Sequence, residues 1–132
     1  YSKYLDSEVV ICYKQRKKAN VISIMELIGN VEGRNVIIVD DMVDTAGTLT
    51  KAADLMMEKG AISVRALTTH AILSGDAYNR IENSSLEELI VTDTIPLNRP
   101  CSKIKVVSCA PLFAEVMQKV HSNTSISGKF LM

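Results

Sequence analysis

Between Asn35 and His70 the hydrophobic period of the chain changes twice, and that change limits the folds open to it. NVIIVDD, from Asn35, is an apolar β-branched run ending in charge, the clearest strand in the chain. From Gly47 to Lys59 the apolar residues Leu49, Ala52, Ala53, Met56 and Met57 recur at helical spacing. The two methionines are expected in the core, and Gly60 stands just past the helix as its stop. ISVRALTTH, Ile62 to His70, then returns to a strand pattern. Strand, helix, strand is a βαβ unit, which implies a parallel sheet, because two parallel strands need a long crossover between them.

The flanks extend the pattern. VVICY (Val9–Tyr13) is short, β-branched and bounded by charge, and is expected to be a buried strand. The basic segment KQRKKAN follows, and then VISIMELIG (Val21–Gly29), a second strand in which Met, Glu and Leu leave a helix open. NVEGR carries turn chemistry. GDAYNRIEN gives a short helix, LEELIVTD and KIKVVSC two more strands, and APLFAEVMQKVH a helix with Pro111 in its first turn. A polar tail, SNTSISGKFLM, closes the chain. The expected fold class is α/β, a mainly parallel sheet flanked by helices. In such sheets ligands bind at the carboxyl ends of the strands, where Asp40 and Asp41 are expected to lie.

A chain of 132 residues with 47% hydrophobic content suits one domain with its own core. Fifteen basic and fifteen acidic residues cancel, which argues against a general binder of nucleic acid or membrane surfaces. No apolar stretch approaches the ~20 residues that span a bilayer. Cys12, Cys101 and Cys109 are odd in number, widely spaced and form no CxxC pair, so reduced thiols in the cytoplasm are expected rather than zinc or disulfides. The chain opens on Tyr1 in what reads as a helix already under way, so a fragment of a longer protein is expected.

The segment joining the first strand to its helix carries the chemistry. The strand is expected to stop at Asp41 and the helix to start near Gly47 or Thr48. Between them DTAGT has small residues whose N–H groups can converge, and with the free N–H groups of the helix start they form an anion site. The hydroxyls of Thr45 and Thr48 add donors. Each hydrogen bond to a charged group contributes about 1.5–3 kcal/mol, so several hold a phosphate without a lysine. GxxxxGK[ST] is absent, so this is no Walker A loop. Carboxylates beside a phosphate repel it unless they address another part of the ligand, such as vicinal hydroxyls or a magnesium ion. A sugar phosphate satisfies both demands.

VIIVDDMVDTAGTL resembles the ribose-phosphate loop of type I phosphoribosyltransferase-fold proteins, in the form found in ribose-phosphate pyrophosphokinases. The resemblance covers the whole chain: YKQRKKANV is similar to that family's mobile catalytic loop, NVEGRNVIIVDD to its hairpin into the motif, TTHAILSGDA to the following strand and loop, and SISGKF to its tail. It implies a phosphoribosyltransferase-like, Rossmann-like three-layer fold. It also implies transfer of a diphosphoryl group from ATP to ribose 5-phosphate with Mg2+, and a homo-oligomer. Asp40 and Asp41 would hold the ribose hydroxyls or their metal, and Asp44, Thr45, Ala46, Gly47 and Thr48 would line the 5-phosphate, Asp44 through loop geometry rather than charge. Lys14 and Arg16 align with the catalytic lysine and arginine, although Gln15 stands where the family carries a basic residue. Ser125 and Ser127 match a tail that in relatives joins an allosteric site. The family's N-terminal domain, with its adenine pocket and metal-binding His and Asp, has no counterpart in these residues, nor has its pyrophosphate-binding stretch. Residues 1–132 are therefore expected to be a single C-terminal domain that binds ribose 5-phosphate weakly and does not catalyse alone.

Other readings compete. DTAGTLT resembles the DKTGTLT of phosphorylated-aspartate ATPases, but Thr45 replaces the lysine and the strand is expected to end earlier. A nucleobase phosphoribosyltransferase would share the sugar loop, yet needs a pyrophosphate loop and a base-binding hood that are not found. A regulatory homologue that only binds would have no use for a cationic lid. Lys17 and Lys18 are expected to be a solvated charge run, His70 a hydrogen-bonded structural residue, His121 a partner of a helix dipole, and Cys12 and Cys109 buried small hydrophobes. Cys101 is expected in an uninformative loop.

Overall fold

The structure, a computed structural model, describes residues 2–15 and 24–129. A short helix α1 (Ser2–Leu5) precedes an antiparallel ribbon of β1 (Ile11–Gln15) and β2 (Ile24–Ile28). The main body follows as β3 (Asn35–Val43), α2 (Gly47–Glu58), β4 (Ser63–Ala71), α3 (Ala77–Glu82), β5 (Glu88–Thr92), β6 (Ile104–Val107) and α4 (Ala110–His121), with a 3-10 turn at Ser127–Lys129. Strands β3, β4, β5 and β6 lie in that spatial order, all parallel.

Each crossover steps one strand in the same direction, and right-handed connections then put α2 and α3 on one face of the sheet, where they touch. The core forms beneath them. Val64, Ala66, Leu89 and Val91 point up from the strands and meet Leu49, Ala53 and Met56 of α2 and Ala77, Tyr78 and Ile81 of α3. Ala53 and Ala66 let helix and sheet approach closely, and the fully buried Ile81 and Leu89 each contribute about 1.5–3 kcal/mol by leaving water. Among the described residues the opposite face is barer: Ile37 and Val39 of β3 are half exposed, and α4 buries none of its residues.

Periodicity located most elements. Helix α4 has the expected bounds, with Pro111 in its first turn, and α2 ends at Glu58 with Gly60 at φ 89°, a left-handed conformation that glycine adopts without penalty. Five readings are corrected. Strand β3 does not stop at Asp41; pairing of Met42 with His70 and Val43 with Ala71 carries it two residues further. The strand expected at Val9–Tyr13 runs Ile11–Gln15 and is not a buried member of the main sheet; paired, among the described residues, only with β2, it leaves Ile11 and Tyr13 exposed. Met57 lies at the solvent edge of α2 while Met56 fills the core. Cys12 and Cys109 are only partly buried, and Cys101 is no uninformative loop residue, since it packs against the core. Partial burial pushes the Cys12 thiol up.

Candidate functional site

Between β3 and α2 only Asp44, Thr45 and Ala46 are left as loop. Ala46, at the helix N-cap, takes the left-handed conformation with φ 58° and ψ 0° while 97% of its surface is buried (3% exposed). Its carbonyl accepts the first helical bond, from the Thr50 N–H at 3.0 Å, and also the Thr50 hydroxyl at 3.0 Å. Having no polar side chain, Ala46 makes no cap bond, and no acidic residue occupies the first turn. The N-terminus of α2 therefore keeps its positive end directed at the loop, as an anion site requires.

The loop is gripped from the neighbouring strand. The N–H groups of Ile72 and Leu73 both donate to the Val43 carbonyl, at 2.9 and 3.2 Å, and the Ser74 N–H donates to the Asp44 carbonyl at 3.1 Å. The Ser74 hydroxyl donates to the Asp44 carboxylate, and Arg80 Nη1 donates to the Thr45 carbonyl at 3.0 Å. Asp44 is thus held in place through both its carboxylate and its carbonyl. Ser74 and Arg80 were missed. The first had a signal, a Ser-Gly-Asp turn just past a strand adjacent to β3; the second had none, because only folding brings α3 beneath the loop.

Asp40 and Asp41 sit inside β3, where neighbours project to opposite faces. Asp40 lies beside Thr68 in register, and its Oδ1 accepts the Asp41 N–H at 3.0 Å. Partial burial holds the Asp40 carboxyl above its usual range, the N–H bond opposing that shift and the Asp41 carboxylate adding to it. Thr68 Oγ1 is buried and finds no hydrogen-bond partner among the described residues. No group of three metal-ligating side chains occurs among the described residues. Two hard carboxylate oxygens still fit Mg2+, which commonly takes one or two carboxylates and completes its shell from substrate and water.

A cleft of about 560 Å³ opens beside the loop, with Thr45, Gly47, Thr48, Lys51, Asp54 and Arg80 on its walls. Met25 of β2 also lines it, and Lys14 stands opposite Met25 in the ribbon, so the backbone carrying Lys14 reaches this side of the molecule. Lys14 belongs to strand β1 rather than to a loop; Arg16, Lys17 and Lys18 lie outside the described residues. Ser125 and Ser127 bond to each other at 3.0 Å near the 3-10 turn. His70 holds the structural role expected of it, its Nδ1 3.0 Å from Thr94 Oγ1. Asp93 closes the turn into α4, its carboxylate accepting the Cys109 N–H at 2.8 Å and the Ser108 hydroxyl at 2.5 Å, and these bonds hold its pKa below the usual range. With β3 running to Val43, Asp44 does sit at a strand end, so that part of the case against an aspartyl-phosphate site falls. The missing lysine stands, and the Asp44 carboxylate is engaged by Ser74.

Residues 4–131 match the family described as the phosphoribosyl synthetase-associated domain. The chain is 51% identical over 131 residues to a ribose-phosphate pyrophosphokinase of Wolinella succinogenes, covering 99% of this chain and 42% of that protein. It is 51% identical over 130 residues to one of Campylobacter jejuni, covering 98% and 42%. The phosphoribosylpyrophosphate synthetase from Mycobacterium smegmatis superposes with a TM-score of 0.81 at 32% identity, over 92% of this chain and 41% of that one. The chain thus spans about two-fifths of the length of the relatives it matches.

Proposed function

Since this chain belongs to the phosphoribosyl synthetase-associated family, we propose that its Asp44–Thr48 segment binds the 5-phosphate of ribose 5-phosphate. The whole protein, on this reading, transfers a diphosphoryl group from ATP to the sugar. The observation that carries the proposal is the left-handed Ala46 at the start of α2, which supplies no side-chain cap to the helix end and lies at the carboxyl end of the sheet, three residues beyond a strand bearing paired carboxylates. The names of the relatives favour this over a nucleobase phosphoribosyltransferase or a non-catalytic homologue.

In the reaction the anomeric hydroxyl oxygen attacks the β-phosphorus of ATP, the bond to the α-phosphate oxygen breaks, and AMP leaves. Such transfer depends on positioning and on cations placed where charge develops. The loop anchors the phosphate end, and Asp40 and Asp41 reach the ribose hydroxyls from the two sides of β3. Lys14 and Arg16 supply positive charge toward the ATP phosphates. Mg2+, held by Asp40 or Asp41 together with substrate oxygens, would offset phosphate charge. A homo-oligomer working in the cytoplasm, with effectors received near Ser125 and Ser127, completes the proposal. We also propose that the 132 residues form the C-terminal, sugar-binding domain and do not catalyse alone.

Calorimetric titration of ribose 5-phosphate against this chain, Asp41→Asn and Gly47→Val tests the site. Both variants should bind at least about tenfold more weakly, because one loses a charged acceptor and the other inserts a branched side chain where even a Cβ would stand 3.3 Å from Arg80. Equal affinity in all three removes the site, and phosphoribosyl pyrophosphate formed by the isolated chain refutes the division of labour.

A further inference from the structure

Arg80, on α3, sets a cation against the loop. Its Nη1 donates to the Thr45 carbonyl at 3.0 Å, and the same nitrogen stands 3.3 Å from where a Cβ on Gly47 would lie. The guanidinium therefore abuts the two residues that flank the left-handed Ala46. Three aspartates, Asp40, Asp41 and Asp44, lie within six residues of Ala46 in sequence, yet Arg80 forms no ion pair among the described residues. Asp44 is engaged by Ser74, and Asp54, across the cleft on α2, accepts the Ser85 N–H at 3.0 Å. The charge of Arg80 is left unneutralised beside the anion loop, in a cleft that it shares with Lys51.

We propose that Arg80 is a positioning residue that fixes the Thr45 peptide and biases the loop toward a doubly charged phosphate group. The inference deepens the sugar-phosphate reading and rests on it. The physical reason is twofold. A guanidinium donating to the Thr45 carbonyl turns that peptide so that its oxygen points away from the anion and the N–H at its other end can face it. Its fixed positive charge also favours the dianion over the monoanion, and a phosphate monoester passes between these states near pH 6.

The test measures ribose 5-phosphate affinity at pH 7.5 and pH 5.0 for the wild-type chain, Arg80→Lys and Arg80→Met. Thermal melting and the Gly47 amide NMR signal verify that each variant is folded. Arg80→Met should lose about tenfold or more at pH 7.5 and clearly less at pH 5.0, flattening the pH dependence; Arg80→Lys should restore the pH dependence but only part of the affinity. A loss equal at both pH values, with no recovery in Arg80→Lys, overturns the inference by making the role a scaffold alone. So does unchanged binding in Arg80→Met when the wild type binds. A wild-type chain that does not bind ribose 5-phosphate at all defeats the sugar-phosphate reading itself, and the inference with it.

Discussion

Asp44 and Ser74, thirty residues apart, are joined twice: the serine hydroxyl donates to the aspartate carboxylate, and the serine N–H donates to the aspartate carbonyl at 3.1 Å. The acid that would repel a phosphate is thereby occupied as a structural acceptor. Ser74→Ala removes the hydroxyl and leaves the carboxylate loose. Ribose 5-phosphate affinity should fall about two- to tenfold, the range expected for one hydrogen bond of about 0.5–1.5 kcal/mol. Calorimetry reads the change; a variant binding as tightly as wild type would show that Asp44 needs no restraint.

The backbone of Ala46 limits what can replace it. At φ 58° alanine carries a modest steric penalty that glycine lacks, whereas a β-branched residue is a true outlier there, and the site has no room for added methyls. Ala46→Gly should stay within about 1 kcal/mol of wild type, since relief of strain offsets the more flexible unfolded chain. Ala46→Val should lose about 3 kcal/mol or more. Urea unfolding of both variants distinguishes the cases, and similar midpoints would mean that the loop relaxes out of the left-handed conformation.

Thr68 buries a hydroxyl that finds no partner among the described residues. An unmatched buried polar group costs about 1–3 kcal/mol, and valine has nearly the same shape without that cost. Thr68→Val is therefore expected to stabilise the fold by about 1 kcal/mol and raise its melting temperature by a few degrees. A lower melting temperature would reveal that the hydroxyl is in fact satisfied.

Asp93 governs stability in acid. Its pKa is lowered in the folded state by the Cys109 N–H and then by the Ser108 hydroxyl, so the stability it contributes is present above its unfolded value near pH 3.9 and is lost as pH falls through the lower folded value. Asp93→Asn should melt lower than wild type at pH 6 to 8, and the gap should narrow as pH falls below about 4. Melting curves from pH 8 downward decide it; a gap that does not narrow at all as pH falls below about 4 would assign the effect to packing rather than charge.

How much of this was legible beforehand can be judged residue by residue. The stretch from Ala110 to His121 shows an apolar stripe, a leading proline and a polar exit, and the helix has those limits. Gly60 announced the end of α2 because only glycine takes φ near 89° at no cost. The small residues after Asp44 were expected at the carboxyl end of the sheet, and Asp44, Thr45 and Ala46 do follow the end of β3. In contrast, nothing in VVICY distinguishes a central strand from half of a ribbon, because periodicity does not name the pairing partner. Strand β3 passed Asp41 for the same reason: β4 was there to bond Met42 and Val43.

The sequence by itself determined that a strand gives way to a helix through a short small-residue loop, because backbone preference and side-chain period act between near neighbours. Tertiary structure alone decided that Ser74 and Arg80 hold that loop, that Met57 faces water and that Asp40 lies beside Thr68. Those contacts join residues about 28 to 35 positions apart. The hydrogen bonds that make them exist only once parallel pairing and the burial of α2 and α3 have brought the segments together.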